Sequence, residues 1–262
     1  MLLCDGLACD GYIFKYLWDD LAQHFTVVHW NYRGHGRSAL PSDPHRVRIE
    51  DLALDLNAVR DHAGDPPVII VGHSLGTQVA LEAYRQRPAQ VRALVFLCGT
   101  VGRITHTLRG TDWLAQALPG VIEWTQQHPK LARGLWSRVP SSLGVRVAAL
   151  TGEIDARSLQ EEDMEPYFTH AADLDVLLFL RMLQAAGEHS AEEVLPTVQV
   201  PVLVVAGERD SFTPPEQAEA IAAALPRAEL LMIPGATHVA PLEQHELVAL
   251  RLEKFFTDCG LS

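Results

Sequence analysis

Short, unbroken apolar runs alternate along the chain with longer stretches whose apolar residues recur at helical spacing. The runs are Met1–Cys4, Thr26–Trp30, Val68–Val71, Arg92–Leu97, Val202–Ala206 and Glu229–Ile233. They end at Asp5-Gly6, Asn31-Tyr32-Arg33-Gly34, Gly72, Gly99, Gly207 and Pro234-Gly235. Because the runs are continuous rather than alternating, they predict strands buried on both faces, as in a parallel sheet covered by helices. Between them, Tyr12–His24 (Ile13, Tyr16, Leu17, Leu21) and Ile49–His62 (Leu52, Leu56, Val59) predict helices, as do Leu75–Arg85, Pro215–Leu225 and Leu242–Phe256. The alternation predicts an α/β fold with a mostly parallel sheet, helices on both faces and right-handed crossovers.

One region departs from this rhythm. From Gly102 to Pro196 no strand-like run occurs, whereas Trp113–Gln127, Lys130–Arg138 and Leu174–Ala186 read as helices. The expected organisation is a core formed by residues 1–101 and 197–262, with 102–196 a helical cap inserted over the end of the sheet, all within one structural domain. Trp113, Trp124, Trp136, Phe168 and Phe179 are candidates to line a pocket under that cap, or else ordinary helix-packing residues.

Composition adds exclusions. With 48% hydrophobic and 21% charged residues the chain is an ordinary globular one, not a disordered one. The formal net charge of −12 would repel phosphate backbones and anionic lipid surfaces, so neither nucleic acid nor a membrane is expected as a partner; the acidity reads as solubility. The Arg46–Arg48 stretch is too short to argue otherwise. Cys4, Cys9, Cys98 and Cys259 form no CxxC pair, so neither zinc nor dithiol chemistry is indicated, and Cys98 is expected to be a buried small hydrophobe. No apolar stretch is long enough to span a bilayer and Met1–Cys4 is no signal peptide, so a cytoplasmic location is the expectation.

The strongest chemical signal is Gly72-His73-Ser74-Leu75-Gly76, between the buried run Val68–Val71 and a helical stretch. A serine at a sharp strand-to-helix turn sits on a strained backbone that lifts its hydroxyl above the sheet, with the helix N-terminus beneath it, and the flanking glycines leave room where a side chain would clash. The alternative is a tight turn whose serine merely caps the helix. A serine hydroxyl is a weak nucleophile and needs a base, which in turn needs an orienting acid. Asp210, in Gly207-Glu208-Arg209-Asp210 just past the Val202–Ala206 run, is the candidate acid, with Glu208 closer to the strand end as the alternative. His238, in Pro234-Gly235-Ala236-Thr237-His238 after the last strand, is the candidate base among twelve histidines. His73 is adjacent to Ser74 and expected to diverge from it. His35 precedes the serine in a loop that it either supports or brings to the pocket. The oxyanion of an acyl transfer needs two donors; the candidates are the backbone N–H groups of Leu75, after the nucleophile, and of Leu7, in the loop Asp5-Gly6-Leu7.

Together these residues resemble the α/β-hydrolase superfamily. The matching pieces are Asp5-Gly6-Leu7, Asn31 to Ser38, Gly72 to Gly76, Gly207 to Asp210 and Gly235 to His238, and the likeness runs from Leu2 to about Phe256. It implies an α/β-hydrolase fold and a hydrolase that forms a Ser74 acyl-enzyme with His238 and Asp210, without metal or organic cofactor. The expected substrate is a small or medium, partly apolar molecule, foremost a carboxylic ester. Carbon–carbon, amide or lactone hydrolysis, perhydrolysis and cofactor-free dioxygenation also occur on this fold, and so do non-enzymatic receptors. Dehalogenases and epoxide hydrolases of the fold use a carboxylate nucleophile, which Ser74 argues against. The oligomeric state is not legible.

Three departures from the superfamily pattern stand out. Asp5-Gly6 occupies the place where its oxyanion loop usually carries His-Gly, and a carboxylate there would oppose an oxyanion unless it points away or pairs with a cation. Asn31 stands where an aspartate is usual. The superfamily has a β-hairpin ahead of the strand that feeds the oxyanion loop, and here the sequence starts within that strand; the expectation is a missing hairpin, a sheet edge beside Thr26–Trp30 left uncovered, and lower stability.

Overall fold

A computed structural model describes residues 1–106, 111–138, 154–155, 158–159 and 161–261; the remainder of the expected cap, chiefly 139–153, lies outside the described residues. Six parallel strands form one sheet in the order β2-β1-β3-β4-β5-β6. They are β1 (Leu2–Cys4), β2 (Val28–His29), β3 (Val68–His73), β4 (Val91–Leu97), β5 (Val202–Gly207) and β6 (Ala228–Ile233). The Thr26–Trp30 run contributes only two ladder residues, and β2 is the outer strand of its side of the sheet.

The continuous apolar runs are explained by two cores. Leu2, Cys4, Val68, Ile70, Leu94, Phe96, Val202 and Val204 face one, packed by α2 (Ile49–His62), α3 (Leu75–Gln86) and α8 (Pro215–Ala224). Leu3, Ile69, Val71, Ala93, Val95, Leu97, Leu203 and Val205 face the other, packed by α1 (Leu17–Ala22), a 3₁₀ turn at Tyr12–Phe14 and α10 (His245–Asp258). Successive residues point to opposite faces and both faces are covered, so no polar alternation is needed. Tyr12–His24 is therefore two short elements rather than one helix, and Leu242–Phe256 is divided at Gln244 into α9 (Ala240–Glu243) and α10.

Between β4 and β5 the described residues hold α4 (Trp113–Gln127), α5 (Pro129–Trp136), α6 (Glu161–Asp173) and α7 (Val176–Glu188), with no strand among them. The α6 helix was not evident in the sequence: Glu161, Glu162, Asp163, Glu165 and Pro166 blur its apolar period. Leu118, Ile122 and Leu180 form a small core of this insertion, while Leu178, Met182 and Ala186 of α7 join the α2–α3 side of the sheet. Trp113 and Trp124 are exposed, Trp136 packs on Phe179 at 5.0 Å, and Phe168 packs with Tyr167 against the α1 side. Among the described residues no helix is long and apolar enough to cross a membrane.

This strand order places a site. From β1 the chain moves outward to β2 and then returns to β3 on the other flank of β1, so the direction of winding reverses between β1 and β3. Loops at the carboxyl ends of the two strands at such a switch point diverge and leave a crevice. Those ends are Cys4-Asp5 and His73-Ser74, in register through Cys4 and Gly72.

Candidate active site

Ser74 is the residue between β3 and α3, with φ 54° and ψ −121°. A non-glycine residue held there stores backbone strain, which persists only where the surroundings enforce it. They do: a Cβ on Gly72 would lie 2.3 Å from the Gly76 oxygen, and one on Gly76 would lie 2.2 Å from the Cys4 oxygen. The turn is thus locked between β1 and α3, and the Ser74 N–H is tied to the Leu97 oxygen at 3.0 Å. A simple N-cap would point its side chain back at the helix, yet Ser74 makes no side-chain cap bond.

The Ser74 hydroxyl instead faces His238, with Oγ 2.9 Å from Nε2. The opposite ring nitrogen, Nδ1, lies 2.8 Å from Asp210 Oδ2. Since a carboxylate only accepts, Nδ1 carries the proton and Nε2 is left with its lone pair toward the serine hydroxyl. Asp210 is 3% exposed and its remaining acceptor sites are filled: Oδ1 takes the N–H groups of Phe212 and Thr213 at 2.9 Å each, and Oδ2 also takes the Thr213 hydroxyl at 2.7 Å. The three residues singled out from the sequence therefore meet in one hydrogen-bonded chain.

Several neighbours of that chain take parts that the sequence did not reveal. Glu208, the alternative acid, accepts the Gly235 N–H at 2.8 Å and so pins the loop that carries His238. Glu243 is buried and accepts the N–H and the hydroxyl of Thr237 at 2.7 Å each, holding the residue next to His238. His73 diverges from Ser74 as expected, but its Nε2–H reaches the His238 main-chain oxygen at 3.0 Å. Burial and the neighbouring His238 push its pKa down to about 3, so it serves as a neutral strut. Phe212 packs on the His238 ring at 5.0 Å. The Thr213 signal, a hydroxyl three residues after a candidate acid, was present in Asp210-Ser211-Phe212-Thr213, but only the fold of that loop gives it meaning.

Asp5 is resolved by pairing. Its Oδ2 sits 2.6 Å from His29 Nε2 and its Oδ1 accepts the Gly11 N–H at 3.2 Å. Both Asp5 oxygens are thus committed on the side of β2. A Cβ on Gly6 would lie 3.2 Å from the Ser74 Cβ, so the Asp5–Leu7 loop runs against the serine, and the Leu7 N–H has no main-chain acceptor among the described residues. His35 is buried with Nδ1 3.1 Å from the Arg33 oxygen and its ring 5.7 Å from that of His170, so it braces its own loop. Asn31 Oδ1 accepts the Arg37 N–H at 3.4 Å and its main-chain oxygen the Ser38 hydroxyl at 2.8 Å, which brace the same loop. Cys98 is buried, as its apolar context suggested.

The family model for the α/β hydrolase fold matches residues 1–244. The chain belongs to the α/β-hydrolase family. Among the relatives of this hydrolase, a pimeloyl-[acyl-carrier protein] methyl ester esterase of Stenotrophomonas maltophilia (strain K279a) is 30% identical over 97% of the chain and 92% of its own length. In structure, a thermophilic esterase from Thermogutta terrifontis superposes with a TM-score of 0.78 at 20% identity, covering 98% of this chain and 89% of the other. The enol-lactonase from Burkholderia xenovorans LB400 superposes at 0.77 with 19% identity over 98% and 90% of the two chains. At those identities the structures speak for the fold alone, which an esterase and a lactonase share.

Proposed function

We propose that this hydrolase cleaves a carboxylic ester by two-step acyl transfer through Ser74. The reading rests chiefly on one observation, the continuous relay from Ser74 Oγ to His238 Nε2 and from Nδ1 to Asp210. Ser74 Oγ attacks the ester carbonyl while its proton passes to Nε2. Asp210 holds the ring and stabilises the imidazolium, and the N–H groups of Leu7 and Leu75 receive the oxyanion. As the tetrahedral adduct collapses, the imidazolium returns the proton to the departing alcohol. Water then attacks the acyl-enzyme by the same sequence and releases the acid and free serine. No step calls on a group other than protein and water.

We further propose that 102–196 caps the site and supplies the wall against which the acyl chain lies. The named activity of the 30% identical relatives suggests an ester of a small alcohol such as methanol on a longer, partly apolar acyl group. The test is the Ser74→Ala variant. Turnover of p-nitrophenyl esters and of fatty-acid methyl esters should fall by about 10⁴-fold or more while the circular-dichroism spectrum and unfolding midpoint hold. A fluorophosphonate probe should label the wild-type protein at Ser74 and leave the variant untouched. Undiminished hydrolysis by Ser74→Ala would end the proposal.

A further inference from the structure

Asp5 closes the loop that presents Leu7, and it does so from a nearly inaccessible position, 1% exposed. Its Oδ1 receives the Gly11 N–H at 3.2 Å, its Oδ2 meets His29 Nε2 at 2.6 Å, and its main-chain oxygen accepts the Tyr32 hydroxyl at 2.8 Å. Residues 6–10 thereby become an eyelet with both ends fastened by one carboxylate. The Cys9 N–H braces it from inside through the Gly6 oxygen at 3.3 Å, and Ala8 and Gly11 turn it at φ 61° and 97°. Gly11 is required as well for the fit of the imidazole, since a Cβ there would lie 3.2 Å from the His29 ring. The eyelet lies against Ser74 through Gly6.

The arrangement roots a carboxylate in the loop whose Leu7 N–H is assigned to the oxyanion, and a preorganised site works by presenting positive, not negative, charge to that oxygen. An ion pair of Asp5 with His29 has no net charge; Asp5 beside a neutral imidazole has a full negative one. The groups facing His29 are Asp5 from the end of β1, Asp10 from the eyelet, and Lys15 and Asp19 from the segment before and within α1. Asp5 and Asp10 favour the imidazolium, and Lys15 is itself engaged by Asp163. Burial lowers the His29 pKa, but the hydrogen bond and charge of Asp5 outweigh it and leave the group above its ordinary value; burial likewise raises Asp5 against the pull of His29. His29 borders a hollow of about 310 Å³ with Gly11 and Trp18, so water reaches it and it exchanges its proton with solvent.

We propose that Asp5 and His29 are positioning residues for the oxyanion donor of Leu7, and that this hydrolase runs at full rate only while His29 carries its proton. The proposal rests on the assignment of Leu7 as a donor to the Ser74-bound oxyanion. Its consequence is directional. As pH rises through the His29 pKa, the pair gains a negative charge beside the oxyanion and kcat declines. KM is little changed, because the oxyanion exists only beyond the ground state.

The experiment is the kcat and KM profile for p-nitrophenyl butyrate between about pH 6 and 9.5, with the His29 imidazole followed by NMR in the unmodified protein. The expected result is a fall in kcat that coincides with loss of the His29 proton. His29→Gln keeps a donor to Asp5 without charge; it should lose about tenfold to a hundredfold in kcat at unchanged KM, and lose the basic limb. Asp5→Asn/His29→Gln, which removes both charges, should turn over faster than His29→Gln. A wild-type kcat that stays constant while His29 deprotonates overturns the proposal, and that measurement needs no variant to fold. A His29→Gln kcat within about twofold of wild type, with turnover still dependent on Ser74, overturns it too and leaves the esterase reading standing. Turnover that persists in Ser74→Ala strikes the esterase reading instead.

Discussion

The sheet and the insertion are held by different kinds of contact. On the sheet side, main chain meets main chain: Gly72 against Gly76, Gly76 against Cys4, the Glu208 N–H to the Ile233 oxygen at 3.0 Å and the Arg209 N–H to the Ala236 oxygen at 2.9 Å. Among the described residues the insertion is tied by the Ala191 N–H to the Val101 oxygen at 2.9 Å and otherwise by side chains. Lys15 and Tyr16 reach Asp163, Gln78 Nε2 reaches the Gly102 and Ala186 oxygens at 2.8 and 2.9 Å, and Glu243 Oε1 accepts the Asp155 N–H at 2.8 Å. Backbone contacts at this range leave no room for variation, whereas a side-chain tie can be lost while its elements stay folded. If the insertion forms the proposed wall, the reacting atoms are held by main chain and that wall by ties that a single substitution can remove.

The sharpest way to break that comparison is to make one substitution on both sides. Gly76→Ala forces a Cβ to within 2.2 Å of a main-chain oxygen at the junction of β1 and α3. It should cost about 3 kcal/mol or more, lowering the unfolding midpoint by roughly 10 °C or preventing folding. Gly134→Ala in α5 meets nothing within 4 Å and replaces a helix-interior glycine, so it should stabilise, by up to about 1 kcal/mol. Thermal melts of the two variants decide it; effects of equal sign would mean that the two regions do not differ in this way.

The same difference explains what could be read from the amino-acid order. The nucleophile elbow was legible because its geometry needs glycine at two positions, and glycine is visible in a sequence. Asp210 and His238 were legible because strand-end loops carry them and the order of the fold ranks the candidates. The supporting roles of Thr213, Glu208, Glu243 and His73 were not, because each acts through a partner far away or through a loop whose shape only the folded chain defines. The Asp5 substitution was visible as a departure, but its resolution needed β2 laid beside β1 to bring His29 within reach. Helix α6 was missed because Pro166 and the run of acids obscure its period, although it packs Met164, Tyr167 and Phe168 inward.

Acid sharpens the comparison from another direction. Burial, reinforced for His73 by His238 and for His35 by His170, lowers two sheet-side histidines, to about 3 and about 4. Both are neutral in the fold, while in the unfolded chain they titrate near their ordinary 6.5. The unfolded state therefore binds more protons, and folding stability is complete above 6.5 and declines as pH falls toward 4 for His35 and toward 3 for His73. Each contributes a slope of about 1.4 kcal/mol per pH unit across its window. His35→Asn, which retains a donor toward the Arg33 oxygen, should flatten the fall of the unfolding midpoint between pH 6.5 and 4. An unchanged slope would assign the acid sensitivity elsewhere.

The smallest expected effect tests the adjustable side itself. Asp163 is 4% exposed on α6, where Oδ1 accepts the Tyr16 hydroxyl at 2.7 Å and the Lys15 ammonium. Burial works against the Lys15 charge, but Asp163 and Tyr16 outweigh it and raise its pKa. The tie joins the insertion to the segment that follows the eyelet, and it touches none of Ser74, Asp210 or His238. Asp163→Asn keeps the shape and an acceptor for Tyr16 while removing the charge that holds Lys15. Lys15 is partly exposed, so screening keeps the loss modest. If the insertion forms the wall for the acyl chain, KM for a long-chain ester should rise roughly threefold while kcat stays within about twofold, and KM for an acetyl ester should barely move. That split follows from binding energy lost equally in the ground and transition states, which only a contact remote from the reacting atoms produces. A parallel fall in kcat for both esters would place Asp163 with the rigid side, and the division between a fixed chemistry and an adjustable wall would have to be redrawn at α6.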